Sequence, residues 1–274
     1  MNWLESIIYG FVSGLTEFLP ISSRAHQDLL LLLFGEIGHD PFRDFVVHGT
    51  MAAAVLSSCR AMLEYLRREN SMRLHSRSVY TRSRTIQDLR LVKNALIPMI
   101  IGILVLKYVV GFSSNLLAIS FVLLMNGVIL FIPDRMVHSN RDATLMSGFD
   151  SLLIGVFGAL SAIPGFSRVG CMTSVAVSRG ADSKKALDWA LLLSIPALAL
   201  FMLIDIFSMF TFAGAAAFWS NFFGYILSGL GAYLGGYISI LLMKFLIVRT
   251  GLSDFSYYCW GAALISFVLY LIVV

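Results

Sequence analysis

The stretch GLTEFLPISSRAH, Gly14 to His26, returns in altered form as GALSAIPGFSR, Gly158 to Arg168. Both copies have a Gly, a Pro six residues later, and Ser-Arg three and four residues after the Pro. Gly14, Pro20, Ser23 and Arg24 therefore answer to Gly158, Pro164, Ser167 and Arg168. Proline lacks the N–H that a helix interior needs and collides with the preceding turn. Each segment reads as a helix that stops, turns and restarts. Both lie in apolar surroundings and both carry an arginine, which calls for a chemical reason.

Of the 274 residues, 58% are hydrophobic and 13% charged, and mean hydropathy is +0.83. A soluble domain cannot cover that much apolar surface, so the chain reads as an all-α integral membrane protein. The net charge is +4, but its placement says more than its total, because Lys and Arg mark the cytoplasmic side. Cys59, Cys171 and Cys259 lie far apart without metal-ligand spacing and read as small buried hydrophobes. The start, MNWLESIIYGF, has no Lys or Arg before its apolar run, which argues against a cleaved signal peptide. No second soluble domain is expected; residues 1–274 read as one membrane domain.

Gly10, Gly14 and Pro20 interrupt the first apolar run, which resumes at Leu29 and stops at Gly35. Neither piece reaches the roughly 20 residues of a full span, so a re-entrant hairpin is expected. Spans follow over Phe45–Leu63, Ala95–Gly111 and Leu116–Ile132, with a turn at Phe112–Asn115 and a polar stretch at Asp134–Asp150. Between the first two spans, Glu64–Lys93 is strongly basic and reads as a solvated cytoplasmic loop. It lacks the interleaved aromatics of a nucleic-acid surface, so membrane lipids and no nucleic acid are expected as partners. The pattern then restarts. Ser151–Ile163, a break at Pro164-Gly165 and a continuation to Val177 make a second hairpin, followed by spans over Ala186–Phe207, Gly224–Val248 and Phe255–Val273. Six transmembrane helices and two re-entrant hairpins result. Three spans per half is odd, so the second repeat (about 149–274) is inverted relative to the first (about 1–134). Such inverted repeats place a polar site near the midplane where the broken elements meet. Among basic residues, only Arg24, Arg43 and Lys107 fall on the outer half or in the first hairpin.

Ionisable groups in apolar spans are costly and mark function by default. Here they are Glu17, Arg24, His26, Asp28, His48, Arg168, Asp188 and Asp205. Asp205 near its span's outer end and Asp188 at its span's start read as structural; His48 reads equally as packing or site. Glu17, Ser22, Ser23, His26 and Arg168 combine a carboxylate, two hydroxyls, an imidazole and a guanidinium across the two breaks. Helix ends at each break favour an anion. The planar fork of Arg168 suits phosphate, and Ser beside His makes an activated nucleophile. Glu17 is placed to orient the His, take a proton or hold a divalent cation. The reading is an intramembrane site for a phosphorylated lipid, with a transporter or flippase of such lipids as the alternative on the same inverted repeat.

At these residues the chain resembles the undecaprenyl-pyrophosphate phosphatase family, UppP or BacA. The family's signatures are approximately E-G-L-T-E-F-L-P-(V/I)-S-S-T-G-H and P-G-x-S-R-S-G-x-T. Here Ser13 to His26 read SGLTEFLPISSRAH and Pro164 to Met172 read PGFSRVGCM. The likeness runs the length of the chain. It implies six spans with two re-entrant hairpins in an inverted repeat. It also implies hydrolysis of undecaprenyl pyrophosphate to the monophosphate on the outer face of the bacterial cytoplasmic membrane. That reaction recycles the lipid carrier for cell-wall peptidoglycan and is linked to bacitracin resistance. By position, the resemblance makes Glu17, Ser23, His26 and Arg168 catalytic, Ser23 being the nucleophile. Ser22, Arg24, Gly165, Ser167 and Thr173 then bind substrate. A divalent cation, Mg²⁺ or Ca²⁺, is implied, with Glu17 as its ligand, and a homo-oligomer is left open. Five positions depart from the pattern: Ser13 for the first Glu, Arg24-Ala25 for Thr-Gly, Val169 for Ser and Met172 for Thr, beside Thr173. Ser13 weakens the case for the cation, and Arg24 adds a charge able to replace it. Another isoprenoid phosphate substrate, or a site whose chemistry has decayed, also fits these changes.

Overall fold

The computed structural model describes residues 1–36, 38–60, 64, 79–110, 115–136, 146–210 and 215–273. The chain is helical, with no strand among the described residues. A broken pair opens it, α1 (Trp3–Phe18) and α2 (Ser23–Leu33), followed by α3 (Pro41–Ser58), α4 (Val79–Val105) and α5 (Leu116–Phe131). A second broken pair, α6 (Gly148–Ala159) and α7 (Arg168–Ser178), precedes α8 (Ser183–Met209), α9 (Ala215–Arg249) and α10 (Ser253–Val273).

Local chemistry explains these boundaries. Asn2 and Glu5 form a capping box at the start of α1, and Ser147 with Asp150 does the same for α6. Asp40 caps α3 ahead of Pro41, a residue suited to a first helical turn. α1 ends because Leu19, the residue before Pro20, is driven into an extended conformation (φ −80°, ψ 150°). α2 and α7 have 11 residues each, about 16 Å of helix, against a hydrocarbon core of about 30 Å.

Among the described residues, five helices are long and apolar enough to cross a membrane: Asp88–Tyr108, Leu116–Arg135, Ser183–Met209, Phe218–Arg249 and Ser253–Ile272. They make this an α-helical membrane protein. The expected span at Phe45–Leu63 corresponds to α3, whose Arg43, Asp44 and His48 dilute its apolar character; residues 61–63 lie outside the described residues. The expected basic loop over Glu64–Lys93 is shorter than anticipated, because α4 already begins at Val79. Val79–Lys93 contains no Gly or Pro, Leu91 is buried, and Trp189 donates to Asp88 at 3.1 Å. Residues 65–78 of that loop, 111–114 of the following turn and 137–145 of the Asp134–Asp150 stretch lie outside the described residues.

α1 lies along α9 and α6 lies along α4, while α3 packs on α8 and α5 on α10. Glycines allow the closest approaches. A Cβ on Gly14 would stand 2.1 Å from the Ala232 carbonyl oxygen, and one on Gly235 would stand 2.2 Å from that of Phe11. Small residues at such crossings let backbones meet where no hydrophobic drive separates protein from lipid. One buried cluster that includes Phe18, Met51, Met99, Leu130, Ile154, Met172 and Leu191 fills the interior. Ile97, Phe121, Leu234 and Leu264 are exposed on the outside, as lipid contact requires.

Gly14→Val should destabilise the protein by about 1–3 kcal/mol, the usual cost of overpacking. Thermal unfolding of the purified protein in detergent measures this; a wild-type melting temperature would show that α1 and α9 separate freely.

Candidate active site

The two breaks meet, and side chains satisfy the free backbone groups of both. The Gly165 N–H donates to Ser22 Oγ at 3.1 Å, and Ser167 Oγ donates to the Leu19 carbonyl at 3.1 Å. Asn126, fully buried on α5, bridges both segments. Its Nδ2 donates to the Pro20 carbonyl at 3.1 Å and its Oδ1 accepts from the Ser167 N–H at 2.9 Å. Gly165 holds φ +111°, and a Cβ there would collide with Val122 at 2.6 Å. Ser22 is the one non-glycine residue with positive φ among the described residues (70°).

That conformation changes the register. Ser23 answers to Ser167 in sequence, but Ser22 caps α2 whereas Ser167 caps α7. Ser167 is therefore occupied with the Gly170 N–H and Leu19, while Ser23 is released toward the site. Ser23 Oγ donates to the Ser13 carbonyl at 2.9 Å and accepts from Gln27 Nε2 at 3.1 Å.

A cavity of about 250 Å³ opens beside the joined breaks. Its polar walls include Glu17, Ser23, Arg24, Ser167 and Arg168 from the residues singled out by sequence. Arg168 Nη2 donates to Glu17 Oε1 at 2.5 Å, linking α7 to α1. Its guanidinium also reaches the Ser194 carbonyl at 3.4 Å and lies 5.3 Å from the centre of the Phe201 ring. The Arg168 Nε–H has no partner among the described residues.

Other expected site residues lie elsewhere. His26 is not among the cavity walls; its Nδ1 meets the Ser22 carbonyl and its Nε2 the Tyr258 hydroxyl, each at 2.7 Å. Ser22 and Gly165 hold the junction. Thr173 is fully buried on α7 with an unpartnered hydroxyl, away from the cavity.

Arg24 reaches the cavity and also a polar cluster at its edge, where Nη1 donates to Asp44 Oδ2 at 3.1 Å. His39, in the loop before α3, bonds Asp28 at 2.5 Å and sits 3.3 Å from Asp44, with the Tyr9 hydroxyl also on Asp44. Burial and the charge of Arg24 lower the His39 pKa, but Asp44 and the hydrogen bonds to both carboxylates outweigh them and leave it raised. A raised pKa means that the folded state holds this proton more tightly than the unfolded chain does.

The family model for "Bacitracin resistance protein BacA" matches residues 6–265. The chain belongs to the BacA family. An undecaprenyl-diphosphatase of Thermosipho africanus is 30% identical over 265 residues, covering 96% of this chain and 99% of that protein. One from Syntrophotalea carbinolica is 31% identical, over 95% of this chain and 96% of its own length. Undecaprenyl-diphosphatase 4 of Bacillus thuringiensis is 29% identical, over 97% and 96%.

The divalent cation implied by the resemblance to the BacA family does not fit this donor set as a resident group. Ser13 holds the position of the first carboxylate, and its hydroxyl donates to the Tyr9 carbonyl of its own helix at 2.6 Å. Glu17 already holds Arg168, and no cluster of three metal-binding side chains occurs among the described residues. Four polar cavity residues escaped the sequence as site residues, Ser161 among them. Lys107 projects from a π-helical turn, Leu106–Val110, and has no ion-pair partner among the described residues. Such turns recur at functional sites. Asp205 and Gln27 complete the group. Asn126 was missed because it is neutral; its signal is a lone amide inside the apolar window of α5.

Asn126→Leu keeps the volume but strands a buried carbonyl and a buried N–H. At about 1–3 kcal/mol each, the loss should show as a large fall in unfolding temperature; an unchanged value would remove Asn126 as the clamp. For His39, the stabilisation is complete below the pKa of an unfolded histidine and is lost as pH rises through the higher folded value. The melting temperature should fall more steeply above neutrality in wild type than in His39→Gln. Parallel pH curves would show that His39 does not carry this dependence.

Proposed function

We propose that this BacA-family chain is an undecaprenyl-diphosphatase that hydrolyses undecaprenyl pyrophosphate, or a related isoprenoid pyrophosphate, to the monophosphate. The observation that carries the reading is the Glu17–Arg168 pair at the junction of two broken helices, beside Lys107, which has no ion-pair partner among the described residues, in a polar cavity within an apolar fold. The names of the relatives support the same substrate. Neither the cavity nor the relatives favour a transporter.

In this reading the fold is six spans, α3 included, and two re-entrant hairpins in one membrane domain, with repeats over about 1–134 and 149–274. Its support is the matched packing of α1 on α9 and of α6 on α4. The positive-inside count places the basic loops in the cytoplasm of a bacterial inner membrane, with Arg24, Arg43 and Lys107 outward. The site then opens toward the outer face, where the released monophosphate lipid re-enters the carrier cycle.

Each residue has a task that its placement suits. Arg168, aligned by Glu17, and Lys107 neutralise the pyrophosphate, with Arg24 shared between substrate and Asp44. The unpartnered Nε–H of Arg168 is one donor for a phosphate oxygen. Ser23 offers the hydroxyl that attacks or positions the terminal phosphate. Ser167 and Ser22 hold the two turns, and His26 steadies α2 by tying Ser22 to Tyr258. A cation arriving with the pyrophosphate would meet two carboxylates, Glu17 already paired with Arg168 and Asp205 already on His48. No step here is routed through one.

The test is phosphate release from undecaprenyl pyrophosphate by purified protein in detergent. Wild type should release phosphate, and Arg168→Ala should lose about 10²–10³-fold in kcat, the usual effect of removing a charge-stabilising donor. Lys107→Met should raise KM by about 10-fold or more, as expected for one charge-assisted hydrogen bond. Folded wild type without any release would overturn the reading.

A further inference from the structure

We infer that His48, oriented by Asp205, is the proton-transfer group of this cavity, a role that the signature motifs do not suggest. The inference rests on the phosphatase reading above and adds to it the group that handles the proton.

His48 lies on α3 and Asp205 on α8, 157 residues apart, and His48 Nδ1 meets Asp205 Oδ2 at 2.6 Å. Both side chains line the cavity, at 12% and 8% exposure. Gly49 gives α8 its close approach, since a Cβ there would stand 3.2 Å from Met202 Cε. The imidazole stacks on Phe201 with ring centres 5.5 Å apart and an interplanar angle of 23°. The same ring carries the Arg168 guanidinium at 5.3 Å. One aromatic side chain thus contacts both the imidazole and the phosphate-binding guanidinium.

The chemistry follows from the tautomer. A carboxylate on Nδ1 takes that nitrogen's proton in a hydrogen bond, which leaves the lone pair of a neutral imidazole on Nε2. Nε2 has no partner among the described residues. His26 contrasts with it at every point: both of its nitrogens are engaged, and it does not line the cavity. In the reaction, His48 Nε2 takes the proton of the attacking O–H, from water or Ser23, as that oxygen bonds to the terminal phosphorus. The bond from this phosphorus to the bridging oxygen breaks, and its electron pair leaves with the lipid monophosphate. The imidazolium is stabilised by Asp205 and returns its proton to solvent. When Ser23 attacks, a water repeats the step on the phosphoserine: its oxygen bonds to phosphorus as His48 takes its proton, the bond to Ser23 Oγ breaks, Oγ takes the proton back from the imidazolium, and inorganic phosphate leaves. Asp205 is a positioning residue, because it acts through His48. The charged groups facing His48 in this cavity are Asp205 on α8, Arg168 on α7, Glu17 on α1, Arg24 on α2 and Lys107 on the π turn, with Asp44 on its own helix.

The experiment is the pH–rate profile of phosphate release for wild type, His48→Gln, Asp205→Asn and His26→Gln, each purified and shown to be folded. His48→Gln should lower kcat by about 10²–10⁴-fold, the range for a lost general base. KM should change little, and the acidic limb of the profile should disappear. Asp205→Asn should lower kcat with KM little changed, because the imidazole loses the carboxylate that fixes its tautomer and orientation. In His26→Gln the limb should stay where it is, whatever the rate. An active wild type whose kcat and acidic limb survive in His48→Gln sinks this inference alone, as does a limb that disappears with His26. A folded wild type that releases no phosphate sinks the phosphatase reading and this inference with it.

Discussion

A helix that stops inside a bilayer leaves carbonyls and N–H groups that lipid cannot satisfy. That constraint governs this fold. The two broken helix pairs meet, and each supplies what the other lacks. Serine hydroxyls from both breaks, one glycine N–H and the amide of Asn126 close the account between them. Ser22 holds a backbone conformation rare for a residue with a side chain, at a cost of about 1–3 kcal/mol. Its hydroxyl offsets part of this by accepting from Gly165 while it caps α2.

The same junction arranges the charges. Arg168 begins α7 and Glu17 lies in the last turn of α1, so joining the breaks also joins the ion pair. Burying an ion pair costs desolvation that its mutual attraction does not fully return, so its presence at the cavity speaks for function more than for stability. Three cations and two carboxylates line the space, and Lys107 has no protein partner among the described residues. A pyrophosphate brings the negative charge that this arrangement favours, and the surrounding apolar helices suit an isoprenoid tail.

Much of this was legible in the chain. The two Pro-centred segments, their shared spacing and the apolar runs around them are local features, and local features survive in sequence. Glu17 and Arg168 stood out because a charge in hydrocarbon needs a reason. Asn126 did not, because an uncharged amide hides in an apolar run. Lys107 read as an outer-half basic residue, since nothing local reveals that a π turn aims it at the cavity. The start of α4 was misjudged because charge alone suggested a loop, whereas absent Gly and Pro and a buried Leu91 favour helix.

By itself the sequence determined the class of the protein, the two interruptions and the inventory of groups able to meet a phosphate. Tertiary structure alone decided which of those groups face the cavity. A one-residue difference between the helix starts at Ser22 and Ser167 turns Ser23 inward. His26 lies on Tyr258, and His48 is joined to a carboxylate 157 residues away. The direction of a side chain depends on helix rotation, and helix rotation is set by contacts between segments far apart in the chain.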